Sequence, residues 1–329
     1  MTRYCEMAEL LRFLRTKAVD IYAPVSDGTR LAFRKLAEGD TPDFTRLADN
    51  SVKDILLPQV ETLMRFEMKD GLIDVVEESG CKRDFAVLGV RACDMSAVDV
   101  LDKVLLSGFA DRWYEKRRDA MTVFSLACEE YGENCFCDAF SVNAAAPDGD
   151  VRMRKRGDGY LLTALTEKGE KLLFESPFEE AEEVPQAQPD ESRRRVRVAP
   201  VSDVGTTKEL FDLKLWKTLS RACLSCGSCT FACPTCTCYD ISERDGGKRR
   251  VRTWDSCMYS DFTLMAGGTP RPNKDQRFRQ RFLHKLIYSR ENIGRFACVG
   301  CGRCVSACPS ALHMPRVLSA LARERGKKE

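Results

Sequence analysis

One cysteine spacing occurs twice and constrains this chain more than anything else in it. Cys223, Cys226, Cys229 and Cys233 precede Pro234, and Cys298, Cys301, Cys304 and Cys308 precede Pro309, so both copies read C-x2-C-x2-C-x3-C-P. This is the run that ligates a 4Fe-4S cubane: three thiolates wrap a tight loop around one cluster, and the fourth, followed by Pro, leaves toward the other. By that crossed logic, Cys223, Cys226, Cys229 and Cys308 hold one cluster, and Cys298, Cys301, Cys304 and Cys233 hold the other. Glycines at 227, 300 and 302 suit loops that curl close to sulfide. Structural zinc also uses C-x2-C pairs, but it sets two ligands against two. Three close cysteines plus a Cys-Pro, twice over, suit a cubane.

The rest of the composition describes a globular host for such centres. With 329 residues, 43% hydrophobic and 31% charged, the chain can bury two domain cores. A net charge of +2 provides no global field for nucleic acid or membrane. Seventeen cysteines are many, but they cluster, and a secreted disulfide scaffold would be short and carry a signal peptide. Residues 1–14 instead place Arg3, Glu6, Glu9 and Arg12 among the apolar positions of an amphipathic helix. No run of 18 apolar residues offers a membrane span. The expected compartment is a reducing cytoplasm, and the cluster chemistry implies anaerobic metabolism.

The first 145 residues read as an α/β domain with a mostly parallel sheet. Short strands are expected at Ala18 to Ala23 and Thr29 to Leu36, around the Ser26-Asp27-Gly28 turn. Helices are expected from Val52 or Leu57 to Phe66 and from Gly71 to Ser79. Phe85 to Val90 is a compact apolar run of the kind a buried parallel strand needs. A helical pattern from Met95 to Leu106 and a second apolar strand from Met121 to Ala127 complete a β-α-β unit. In open parallel sheets ligands sit at the carboxyl ends of strands. Cys93 and Cys128 fall at two such ends, and Cys135 and Cys137 follow in Asn-Cys-Phe-Cys. These four suit a third 4Fe-4S cluster; the alternatives are zinc, or small buried hydrophobes. Cys5 and Cys81, isolated, read as structural.

Residues 146–200 read as β-hairpins over Val151 to Phe174, then a linker from Ser176 to Ser192. Residues 201–329 read as a dicluster domain, opened by an amphipathic helix from Lys208 to Ala222 that delivers Cys223. More than 60 residues separate the two motifs. A helix at Asp275 to Tyr288 and another after Pro315 favour the α-helical ferredoxin arrangement over the compact βαβ one. The interval also holds Cys236, Cys238 and Cys257, whose role is open between a further metal and packing near a cluster. From Arg244 to Arg295 there are thirteen Lys or Arg against five Asp or Glu, read as a solvated face or a dock for an acidic partner rather than a nucleic-acid patch. No G-x-G-x-x-G follows a strand, there is no Walker A loop, and two histidines provide little for acid-base catalysis.

Four longer fragments carry a family resemblance. They are Gly89-Val90-Arg91-Ala92-Cys93-Asp94, Gly132-Glu133-Asn134-Cys135-Phe136-Cys137, Cys233-Pro234-Thr235-Cys236-Thr237-Cys238, and Arg252-Thr253-Trp254-Asp255-Ser256-Cys257. Together with Ala266-Gly267-Gly268, Arg271-Pro272 and residues 281–285, they resemble the family containing the iron-sulfur beta subunit of sulfhydrogenase and the A subunit of anaerobic sulfite reductase. The resemblance implies an electron relay between a flavoprotein that handles NAD(P)H through FAD and a catalytic subunit bearing nickel-iron or sirohaem. One departure is that Ala92 stands where members of that family carry Pro before the first sheet-domain cysteine, which removes proline's preset φ from that turn.

The expected function is therefore a non-catalytic iron-sulfur electron-transfer subunit of a cytoplasmic redox complex. Its class rival is a self-contained flavin-dependent oxidoreductase, with the flavin or substrate at the strand ends of the α/β domain.

Overall fold

All six residues of strand Phe85–Val90 are buried, and their alternation divides the amino-terminal core in two. Ala86 and Leu88 face one cluster, with Phe124, Leu126 and Met153 and with Leu10, Leu11, Phe13 and Leu14 of the helix Met7–Thr16. Phe85, Val87 and Val90 face the other, with Val123, Met95, Val98 and Leu101. A strand covered on both faces by helices has no polar side, which is why its sequence is uniformly apolar.

The computed structural model describes residues 1–17, 19–78, 80–81, 83–184 and 187–325. In chain order the strands are β1 (Thr2–Cys5), β2 (Asp20–Ser26), β3 (Leu31–Lys35), β4 (Val60–Lys69), β5 (Leu72–Glu77), β6 (Phe85–Val90), β7 (Met121–Leu126), β8 (Val151–Arg156), β9 (Gly159–Ala164), β10 (Glu179–Glu180), β11 (Tyr239–Arg244) and β12 (Arg249–Trp254). Eight form one sheet in the order β10-β1-β9-β8-β7-β6-β2-β3. Its central strands β2, β6, β7 and β8 are parallel, and both flanks are antiparallel. Residues 146–200, expected as hairpins and linker, supply β8, β9 and β10 to this sheet, and Phe178 to its core.

Three expectations fail. Of the helix expected from Val52 or Leu57 to Phe66 only Lys53–Leu56 is helical, and Val60–Lys69 and Leu72–Glu77 form the hairpin β4–β5, turned at Asp70 and Gly71, both with positive φ. An Asp-Gly pair between strands is a type I′ turn signal, and it decides the local structure over a weak helical spacing. The second hairpin expected before Phe174 is instead the helix Glu167–Phe174, because the Thr166 hydroxyl caps it by accepting from Gly169 N at 3.2 Å. The single helix expected from Lys208 to Ala222 is broken into Thr207–Leu210 and Leu215–Ser220. Ala18 and Ser79, the start and end of expected elements, lie outside the described residues, as do Pro185 and Gln186 of the expected linker.

The carboxyl-terminal domain is helical around both cysteine loops. Phe278, Phe282, Leu283, Leu286 and Ile287 pack with Trp216, Val317, Leu318 and Leu321. The expected helix runs on from Lys274–Leu283 through a π-helical turn, His284–Tyr288, to Ser289–Ile293. Between the cysteine motifs the chain also throws out β11 and β12, which join β4 and β5 in a second sheet, β11-β12-β4-β5. Glu61 of β4 fastens this sheet inward, accepting from Arg117 at 2.8 Å and from Arg252 Nε at 2.9 Å, while Arg252 also pairs with Asp111. Among the described residues no helix is long and apolar enough to cross a membrane.

Candidate metal centre

The cysteines gather into three sets, and the first two are crossed. Cys223, Cys226 and Cys229 line one small cavity together with Cys308, which arrives from the other motif. Cys298, Cys301 and Cys304 are electrostatic neighbours of Cys233. Burial pushes the thiols of Cys298, Cys301 and Cys304 up, the last to about 12. Cys226 is the one exposed cysteine, and the Ser228 hydroxyl, 3.3 Å away, holds its thiol below the ordinary range. Other donors aim at sulfur: Ser225 N at Cys223 from 3.4 Å and Leu312 N at Cys308 from 3.2 Å.

The third set lies where the two domains meet. Cys93 opens the helix Ala92–Leu105 directly beyond β6, and Cys128 follows β7 with its N–H on Ala144 O at 2.9 Å. Both pack with Cys135, Cys137 and, from the dicluster domain, Cys301. All five line a cavity of about 1240 Å³ at the carboxyl ends of the parallel strands. The loop carrying Cys135 and Cys137 lies against the second motif: Phe136 N donates to Gly300 O at 2.8 Å. A Cβ on Gly300 would stand 2.3 Å from Phe136 O, and one on Gly302 2.3 Å from Asn134 O, with φ of +63° and +81°. These two glycines therefore admit a neighbouring backbone as well as curling their own.

Residues without a motif of their own hold this junction. Arg303, inside the second motif, forms a bidentate pair with Asp94 at 2.6 and 2.9 Å, both groups buried. Arg194 donates to Cys135 O at 3.1 Å and Val196 O at 3.0 Å and pairs with Asp138, so residues 190–196 strap down the cysteine loop. That strap lies at the end of the stretch read as a linker.

A 4Fe-4S cluster carries net negative charge once its four thiolates are counted, and the protein offers matching cations. Lys53, Arg281 and Lys285 are 2%, 3% and 2% exposed. Their acidic neighbours are thiols, chiefly Cys233 and Cys236 with Cys229 and Cys304 for Arg281, and Asp54 for Lys53 only. Burial pulls the Lys285 ammonium down, yet Cys233 and Cys236 more than reverse it, leaving it above its ordinary value. Arg281 and Lys285, buried without carboxylates, need another anion close by. Two buried polar atoms beside the first set, Arg281 Nε and Ser225 Oγ, lack a hydrogen-bond partner among the described residues, and cluster sulfides would supply one. The residues fit 4Fe-4S clusters.

Within the basic interval Arg252, Arg281 and Lys285 are buried, while Arg244, Lys248 and Arg290 remain exposed. Arg252 is spent on Glu61 and Asp111, Arg281 on Cys236 Sγ and Cys229 O, Lys285 on the Thr235 hydroxyl, and Lys274 on the carbonyls of Arg221 and Cys223 at 3.1 Å. Cys5 is buried in the amino-terminal core, as expected of a structural cysteine, and Cys81 packs at the edge of the second core cluster.

Comparison with known proteins agrees with this construction. A family model described as a 4Fe-4S dicluster domain matches residues 222–312. Sulfhydrogenase 2 subunit beta of Pyrococcus furiosus is 30% identical across 93% of this chain and 93% of its own. No solved structure matches. The chain belongs to the sulfhydrogenase beta-subunit family and is an iron-sulfur electron-transfer subunit.

Proposed function

We propose that this chain relays electrons between a flavoprotein subunit that handles NAD(P)H through FAD and a catalytic subunit of nickel-iron hydrogenase or sirohaem sulfite-reductase type, in a cytoplasmic complex, and performs no substrate chemistry itself. Cys223, Cys226, Cys229 and Cys308 would hold one 4Fe-4S cluster, Cys298, Cys301, Cys304 and Cys233 a second, and Cys93, Cys128, Cys135 and Cys137 a third. Bound, such clusters supply reversible one-electron transfer at potentials set by hydrogen bonds, charge and exposure.

The observation that carries the reading is the succession of the sets. Cys229 of the first neighbours Cys233 of the second, and Cys301 of the second packs with Cys93 and Cys137 of the third. The row begins at the exposed Cys226 and ends at the cavity beyond β6 and β7, so it has two ends at which partners can meet it. Lys53, Arg281 and Lys285 sit at its middle, where buried positive charge favours the more negative, reduced state.

The rival, a self-contained flavin-dependent oxidoreductase, draws support from the size of that cavity, which exceeds the usual range for small-molecule pockets. The test is anoxic purification of the chain alone and from its native source. The relay reading expects iron without flavin in the isolated chain and co-purification with a flavoprotein. Bound flavin with NAD(P)H-dependent dye reduction by the isolated chain would overturn it.

A further inference from the structure

Cys236, Cys238 and Cys257 belong to none of the three sets, yet the fold brings them together beside one. Cys238 leads into β11 and Cys257 lies just beyond β12, whose pairing puts Tyr239 opposite Trp254. Asp255 N then donates to Cys238 O at 2.9 Å, closing the base of the hairpin on the two cysteines. The Cys238 and Cys257 thiols are electrostatic neighbours. Cys236 neighbours both Cys257 and Cys233 and receives Arg281 Nη1 at 3.5 Å. A file of sulfur thus runs from Cys257 and Cys238 through Cys236 to Cys233 of the second set. Its pairwise contacts do not suit a cubane, whose four ligands stand apart around the cluster, and no three of these groups close on a single ion.

We propose that Cys238 and Cys257 form a reversible disulfide that exchanges an electron pair with the iron-sulfur relay. The inference rests on the relay reading, since the relay is its electron acceptor and donor. Oxidation breaks two S–H bonds and forms one S–S bond, releasing two protons and two electrons. The electrons leave singly through Cys236 and Cys233 to two oxidised 4Fe-4S clusters, each reduced by one. The protons leave at Cys238, which is only partly buried. Arg281 and Lys285 offset the negative charge of the half-reduced pair. Such a dithiol lets a carrier of single electrons hold a pair, which is what hydride chemistry in a partner delivers or demands.

The test uses the full chain, purified anoxically, poised oxidised or reduced, quenched in acid, then denatured, alkylated and digested. The expected oxidised sample contains a peptide joining Cys238 to Cys257, absent from the reduced one. Coulometric titration should take up two more electrons per chain in the wild type than in Cys257→Ser or Cys238→Ser, at unchanged iron. Alkylation of both thiols in the oxidised wild type, or equal electron counts, would overturn the proposal. So would loss of iron in these variants, which would make the cysteines cluster ligands. Low iron in the wild type would overturn both the proposal and the relay reading. Should either variant fail to fold, the wild-type peptide map decides.

Discussion

Arg303 and Asp94 form a buried, bidentate ion pair that joins the second cysteine motif to the helix carrying Cys93. Arg303 also donates to Ala48 O at 3.0 Å, so one side chain fixes the motif against two segments of the amino-terminal domain. Burial opposes its charge, and Asp94 and Cys301 outweigh that opposition. Removing one partner strands the other's charge, which costs about 3–5 kcal/mol. Asp94→Asn and Arg303→Met should each lower the thermal unfolding midpoint of anoxic protein markedly, and an Asp94→Leu/Arg303→Met double variant should recover much of the loss. Equal midpoints for wild type and single variants would remove the pair from the account.

Gly300 lies under the Cys135 loop with no room for a side chain. Gly300→Ala should displace residues 134–137 and cut iron by about four per chain, one cubane's worth. Gly267→Ala, where a Cβ meets nothing within 4 Å, is the control and should leave iron unchanged.

Cys135→Ser with Cys137→Ser should also remove about four iron atoms, while both dicluster EPR signals persist. Iron that stays level in this variant would dismiss the third cluster. Cys301→Ser should abolish one dicluster signal and interrupt electron flow to the partner.

Lys285 is a buried cation whose nearest acidic groups are Cys233 and Cys236, and its ammonium donates to Thr235 at 2.6 Å. Lys285→Met should move the midpoint potential of the neighbouring cluster to more negative values, because reduction adds negative charge that this cation favours. Lys285→Arg should restore most of the shift. EPR-monitored redox titration reads both, and an unchanged potential in the Met variant would show that the charge is screened.

Much of this was legible because cluster ligation is written in spacing. The crossed sets follow from C-x2-C-x2-C-x3-C-P alone, and the strand-end position of Cys93 and Cys128 follows from two apolar runs and the helix between them. What was hidden depended on partners distant in sequence. Arg303 reads as one more surface arginine until the fold brings it to Asp94, and Arg252 as part of a basic face until β12 pairs with β4 and meets Glu61. The β4–β5 hairpin had a local signal, Asp70-Gly71, set against an i, i+3, i+7 spacing of Leu57, Val60 and Met64 that also fits a helix. The Thr166 cap was likewise present in the sequence and outweighed by the alternation before it.

The central claim is that thiolates gather iron into a row of clusters, and iron and acid-labile sulfide analysis of anoxically purified protein, with Mössbauer spectroscopy, tests it most directly. The account predicts about 12 iron and 12 sulfide per chain, all in 4Fe-4S form, and about 8 of each after Cys135 and Cys137 are replaced. Folded, colourless protein without iron that still supports electron transfer in its complex would contradict it.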